Sequence, residues 1–198
     1  KTALGLESRI VDLRKNLLAP HWDNRDWLWT VGGTSTQRWQ ASDSTGSYTV
    51  NARTLAGSKV EQFEISPDGA RVVMLLSGKR NGVWASSIVR DLSGKPTSIA
   101  EPKNFFIGEG IPFAASWVDA THLSILTRAP SKDVRPLILT VGGEKDWYPI
   151  IAGGSDIIGS LIGPEIFVLR EDKTVMRARS SIWSQVQSGV IAMHYAGH

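Results

Sequence analysis

Hydrophobic residues fall in short runs along this chain, each bracketed by Gly, Pro, Asp or Asn. Runs rich in Val, Ile, Leu, Thr and Trp occupy residues 27–31, 60–65, 71–76, 83–89, 123–127, 137–141, 165–169 and 175–179. Each has the length of a β-strand and is too short for an ordinary helix. Helical periodicity is hard to find. Residues 6–18 place apolar side chains at 10, 11, 13, 17 and 18, but Arg9-Ile10-Val11-Asp12-Leu13 alternates as well as a strand would. The pattern predicts an all-β chain.

The spacing of the runs says more than their number. Four segments share one plan: a strand, a tight turn built on Asp, Gly or Pro, and a second apolar strand. They span residues 19–29, 64–74, 115–125 and 159–168. With Trp22, Pro67, Trp117 and Leu161 as markers, the steps between units are 45, 50 and 44 residues. A period near 45 residues with about four strands per unit is that of a β-propeller, one unit per blade. Third and fourth strands are expected at 135–142 and 146–151 in the third unit, and at 174–180 and 182–187 in the fourth. The chain therefore reads as about four blades, a fragment of a larger ring. Its tail, residues 190–195, repeats the inner-strand pattern, with Tyr195 in the place of Trp22 and Trp117. A lone inner strand leaves an open sheet edge. Residues 1–16 are expected to supply the outer strands of that same blade and close the ring.

Composition narrows the class. The chain has 198 residues, 41% hydrophobic and 21% charged, the balance of a folded soluble domain. It has no cysteine, which excludes disulfides, thiolate metal sites and cysteine nucleophiles. No apolar run approaches the roughly 20 residues of a membrane helix. The opening Lys1-Thr2-Ala3-Leu4-Gly5 has neither an initiator Met nor a signal pattern, and reads as the cut end of something longer. Basic residues number 22 against 19 acidic, a net +3, and never run beyond pairs such as Arg14-Lys15 and Lys79-Arg80. That is a solvated surface and not a nucleic-acid footprint.

Candidate chemistry is sparse. His21 and His194 precede Trp22 and Tyr195 at the same repeat position, and could meet near the axis as metal ligands or a base. Ser66, Ser116 and Ser160 hold that position in the other units, which favours a polar slot that caps the turn by hydrogen bonding. There is no Gly-x-Ser-x-Gly nucleophile motif. Gly32-Gly33 and Gly153-Gly154 fall where strands need turns and match no phosphate-binding fingerprint. Glu171-Asp172 reads as a solvated turn. No catalytic residue, metal or cofactor is expected. The eight tryptophans are unusual. Trp27 and Trp29 share one face of a strand. They form either an aromatic interaction surface for a sugar or a partner protein, or a packing wedge between twisted blades, the favoured reading.

Pro20-His21-Trp22-Asp23 is followed by Trp27-Leu28-Trp29-Thr30-Val31. Then come Ile65-Ser66-Pro67-Asp68-Gly69-Ala70-Arg71-Val72, Ser116-Trp117, and a tail with Tyr195-Ala196-Gly197. Together, from about residue 17 to the end, these resemble the C-terminal propeller domain of the LpqB-type lipoproteins of actinobacteria. The resemblance implies a domain that follows GerMN-type domains in a protein lipid-anchored on the outer face of the cytoplasmic membrane. It implies an interaction module and not an enzyme, with the extracellular domain of the sensor histidine kinase of the MtrA–MtrB two-component system as partner. It brings no catalytic residues. The lipidated cysteine and the GerMN region are absent from this sequence, as in a shortened chain. The rival readings are a propeller that binds a cell-wall glycan or small ligand in its mouth and, more weakly, the propeller gate of a hydrolase.

Overall fold

The computed structural model describes residues 16–32, 37–106, 110–160, 165–179 and 182–193. Four antiparallel sheets follow one another along the chain. β1 (His21–Trp22), β2 (Leu28–Gly32), β3 (Arg38–Ser42) and β4 (Ser47–Val50) form the first blade. β5 (Ser58–Ile65), β6 (Arg71–Gly78), β7 (Gly82–Arg90) and β8 (Pro96–Ile99) form the second, with β9 (Lys103–Asn104) paired to β7. The third holds β10 (Ile111–Trp117), β11 (His122–Arg128), β12 (Val134–Thr140) and β13 (Lys145–Trp147). The fourth holds β14 (Gly154–Gly159), β15 (Glu165–Arg170), β16 (Val175–Arg179) and β17 (Ile182–Gln187). Each sheet is a meander in chain order, as expected of propeller blades. A single 3-10 turn at Arg53–Leu55 joins the first two.

The register refines the repeat. The N–H groups of Asp23, Ser66, Val118 and Ser160 each bond the carbonyl that opens the second strand, on Trp27, Arg71, His122 and Glu165. The equivalent residues are therefore Trp22, Ile65, Trp117 and Gly159. The markers Pro67 and Leu161 lie two residues beyond these positions, and Leu161 is outside the described residues. A slip of two keeps every side chain on its own face, so hydrophobic patterning cannot detect it. The slot of His21 is consequently filled by Glu64, Ser116 and Ile158, and not by Ser66 and Ser160.

The chain ends differ from expectation where they are described. Gly189 takes φ 74° and turns the chain after β17. The N–H of Val190 then bonds the carbonyl of Lys173, and residues 190–193 form no strand. The inner strand expected at 190–195 is thus missing from its first four positions. Residues 194–195 and 1–15 lie outside the described residues, and with them the blade they were expected to share. In the third blade Pro149, which has no N–H to donate, follows the short β13, and pairing resumes only at the Val134–Ile151 bridge.

The core is a series of wedges. Trp29, Trp39, Phe63 and Met74 fill the space between the first and second blades. Val73, Val83, Trp117 and Leu137 fill the next. Ala114, Leu126, Ile157 and Ile166 fill the last. Central blades are covered on both faces, which is why β6 reads as the apolar run Val72–Leu76 and β11 is buried without a break from Leu123 to Thr127 instead of alternating. At the equivalent inner-strand position the third blade carries Trp117 and the fourth carries Gly159. A methyl group on Gly159 would lie 2.3 Å from Val118 Cγ2 and 2.8 Å from its Cα, so the two inner strands approach too closely for any side chain.

Two stability changes follow from these wedges and are measurable by urea denaturation. Trp117→Ala is expected to lower stability by roughly 3–5 kcal/mol, as for other buried aromatic truncations. Gly159→Ala is expected to lower it by roughly 1–3 kcal/mol through overpacking against a backbone atom. A neutral result for either would mean that its wedge is not close-packed.

Candidate functional site

The tryptophan hairpin is an inter-blade anchor. Trp29 is 0% exposed and Trp27 8%, both turned toward the second blade. The interaction surface expected of Trp27 and Trp29 is therefore not available: the wedge takes both rings. The exposed ring of this hairpin is Trp22, at 65%, on the opposite face of the sheet. Trp27 packs edge-on to Tyr48 with ring centres 5.8 Å apart. Trp29 donates its Nε1–H to Asp23 Oδ2 at 3.0 Å.

Asp23 is the hub of a buried polar seam. Its Oδ1 accepts the backbone N–H groups of Arg25 and Trp27, at 2.9 and 3.1 Å, which holds the turn between β1 and β2. Its Oδ2 also accepts from Arg90 at 2.6 Å. Arg90 stands on β7 and donates as well to the carbonyls of Gly69 and Gly94, each at 2.9 Å. One guanidinium thus ties together three turns on the same end of two neighbouring blades. Its Nε lies buried with no partner.

A second seam joins the second and third blades. Gln62 and Glu64 lie two apart on one face of β5. Gln62 donates to the carbonyl of Ala115 at 3.1 Å. Glu64 accepts the N–H of Trp117 at 2.7 Å and the hydroxyl of Ser116 at 3.1 Å. The Nε1–H of Trp117 returns to the Glu64 carbonyl at 3.1 Å. The exposed backbone edge of β10, the inner strand of its blade, is thereby satisfied by side chains from next door. Burial pushes the Glu64 carboxyl up to about 7, against the opposing pull of the Trp117 and Ser116 donors, and the charge of Asp156 adds to the rise. Sequence reasoning missed Asp23, Glu64 and Arg90 as a group. The signal for Glu64 was present, because Phe63-Glu64-Ile65 sets a charge inside an apolar run.

Ring contacts and hydrogen bonds engage the remaining candidates that are described. The His21 ring meets Phe63 edge-on at 5.1 Å, and His194 lies outside the described residues, so their meeting is not on view. His122 pairs with Asp119 in a turn, Nδ1 to Oδ2 at 2.8 Å. Gly154 sits where a side chain would press on Val134 and Val168, a close approach and no ligand cradle. Asp172 accepts from the Thr174 hydroxyl at 2.6 Å and pairs with Arg170, closing its turn. Among the described residues no group of three or more His, Asp or Glu is arranged to hold a metal ion. On the face where the inner strands begin, Ile111, Phe113, Arg128 and Pro130 line a shallow cleft, with the Arg128 guanidinium 4.7 Å above the Phe113 ring. Trp22, Ile111, Ile150 and Ile182 are among the exposed large apolar side chains.

Solved structures share this architecture. Prolyl oligopeptidase B of Galerina marginata superposes with a TM-score of 0.53 at 13% identity, over 88% of this chain and 30% of that one. A prolyl endopeptidase gives 0.57 at 12%, over 86% and 28%. The periplasmic gluconolactonase PpgL of Pseudomonas aeruginosa gives 0.51 at 14%, over 88% and 57%. This chain spans less than two thirds of each of these proteins, and at such identities the likeness is one of fold. No curated protein matches it. The family model for the lipoprotein LpqB beta-propeller domain matches residues 3–193, nearly the whole sequence, and the chain belongs to that family.

Proposed function

We propose that this chain is a non-enzymatic interaction module of an extracytoplasmic, lipid-anchored lipoprotein, and that its partner is the extracellular domain of an MtrB-like sensor histidine kinase. Family membership over residues 3–193 carries this reading. The placement of polar groups supports it. A carboxyl with a strongly raised pKa is a candidate for catalysis when it faces a cleft. Glu64 instead has each carboxylate oxygen engaged by the third blade and is buried away from solvent. Its chemistry is that of a seam between blades. Exposed Trp22, Ile111, Ile150 and Ile182 are apolar groups available for a partner protein to cover. A second reading, a small ligand or cell-wall glycan, rests on the Phe113–Arg128 cleft.

The seam has a pH signature. The folded chain holds the Glu64 proton up to about pH 7, whereas the ordinary carboxyl value is 4.5. Stability from the neutral form is whole below the ordinary value and is lost as pH rises through the folded one. Glu64→Gln keeps an acceptor for the Trp117 N–H and cannot ionise. Its stability relative to wild type is expected to rise from pH 5 to pH 8 by on the order of 2–3 kcal/mol. Equal pH dependence of the two proteins in thermal melts would remove Glu64 from this role.

Binding tests the function. Biolayer interferometry with the sensor's extracellular domain is expected to show saturable binding to this chain. A folded chain that gives no signal at about 100 μM, an affinity weaker than most transient complexes, overturns the proposal. Binding of soluble cell-wall glycan fragments in the same assay, lost in Phe113→Ala, would favour the second reading.

A further inference from the structure

We propose that the face where the inner strands begin rests on the anionic headgroups of the membrane that holds the anchor, a placement that depends on the lipid-anchored reading above. Contacts join the loops of three blades into one surface there. Gly82 opens β7 beside Pro112, 3.5 Å from where a methyl group would stand. Ile111, at the start of β10, pairs with Arg128, at the end of β11. Val134 bridges to Ile151. Arg170 donates to the Ala152 carbonyl at 2.7 Å, and the N–H of Val190 to the Lys173 carbonyl at 3.0 Å.

Two kinds of exposed side chain share this surface. Ile111, Ile150 and Ile191 are 74%, 57% and 85% exposed, each on a different loop. Near them Lys79, Arg128, Lys132 and Lys173 are exposed and form no ion pair among the described residues. Other cations of these loops are engaged: Lys59 by Glu61, Arg80 by Glu101 and Arg170 by Asp172. The acids of the same loops without a cation are Asp133 and Glu171, two against four, so the surface is net positive.

Aliphatic tips among basic heads suit an anionic lipid surface: the apolar groups enter the headgroup layer while the cations meet phosphates. Apolar tips stand at the other end of the blades too, as Trp22, Leu92 and Ile182 do. Charge separates the two ends. The turns there carry Asp23, Asp43, Asp68, Asp91 and Asp119, each accepting the N–H two residues on. Asp23 and Asp68 are paired with Arg90 and Arg71. Asp26, Asp43, Asp91 and Asp119 still outnumber Arg25 and Lys95 in those turns. An anionic surface therefore attracts the first end and repels the second. With the cationic face down, Trp22 and Ile182 stay open to a protein partner. A tether raises the local concentration, so a weak attraction is enough to set this orientation.

Flotation with vesicles of equal parts phosphatidylglycerol and phosphatidylcholine tests this. About 2 mM lipid detects partitioning roughly twentyfold weaker than one acyl chain confers. The chain is expected to bind these vesicles about tenfold or more tighter than phosphatidylcholine alone. Binding should fall when salt is raised from about 50 to about 500 mM, as screening shortens the reach of the charges. Lys79→Glu and Lys132→Glu are each expected to weaken it about fivefold or more, the worth of one basic residue at an anionic leaflet. Arg25→Glu makes the same charge change at the opposite end and should stay within about twofold of wild type. Ile150→Ser should weaken binding about threefold or more through the lost apolar contact. All four sites are exposed, and unchanged melting temperatures check that the variants fold. The vesicles hold no sensor and the interferometry holds no lipid, so either proposal can fail alone. No binding to anionic vesicles, equal binding to neutral ones, or an equal loss in Arg25→Glu would overturn the proposal. Sensor binding abolished by Lys79→Glu, without vesicle binding, would overturn it too and assign this face to an acidic protein.

Discussion

No blade of this propeller can bury both of its own faces, and that shortage organises the molecule. A four-stranded sheet exposes two apolar surfaces, and each must find cover on a neighbour. The blades meet as twisted plates, leaving a wedge that narrows toward the inner strands. Large flat rings fill the space where it is wide, as Trp29 and Trp39 do against Phe63 and Met74. Where the inner strands nearly touch, only Gly159 fits against Val118. The fold thus depends less on any one sheet than on the match between adjoining ones.

Apolar packing leaves a polar problem at the inner edges. The first strand of each blade has backbone groups that no sheet partner can reach, and the seams supply partners by side chain. Gln62 and Glu64 answer the Ala115 carbonyl and the Trp117 N–H. Asp23 and Arg90 hold three turns together at the end of the first two blades. Such groups fix the order and spacing of the blades more sharply than oil-like contacts could, because each buried donor left unmet costs on the order of 1–3 kcal/mol. They also give the raised carboxyl pKa of Glu64 its cause, burial in the seam between two blades.

Much of this was legible in the sequence. The short apolar runs, the Asp-Gly turn at 68–69 and the period near 45 residues identify propeller blades, since strand length, turn geometry and repeat are local properties. The motif from Pro20 to Val31, with the turn at 66–69, resembled the family that the chain proved to belong to. Alternation also put Trp27 and Trp29 correctly on one face. It could not say whether that face meets water, because a period of two looks the same whether the shared face packs on a neighbouring sheet or stands in solvent. The two-residue slip at Pro67 and Leu161 has the same origin, for it leaves every side chain facing as before.

The sequence by itself determined strands, turns, their repetition and the kinship. Burial was decided by the tertiary structure. Trp22 and Trp29 are seven residues apart and chemically identical, yet one ring stands in solvent and the other lies sealed beside Asp23. Glu64 became a buried bridge because Ser116 and Trp117, some 52 residues away, present their donors to it. Trp183, on the last strand of its sheet, is held by the Pro149 carbonyl of the preceding blade, 34 residues away. Each of these outcomes turns on what a distant segment places opposite a side chain. Opposition between blades is set by the stacking of sheets in three dimensions, and no local pattern of polar and apolar residues encodes it.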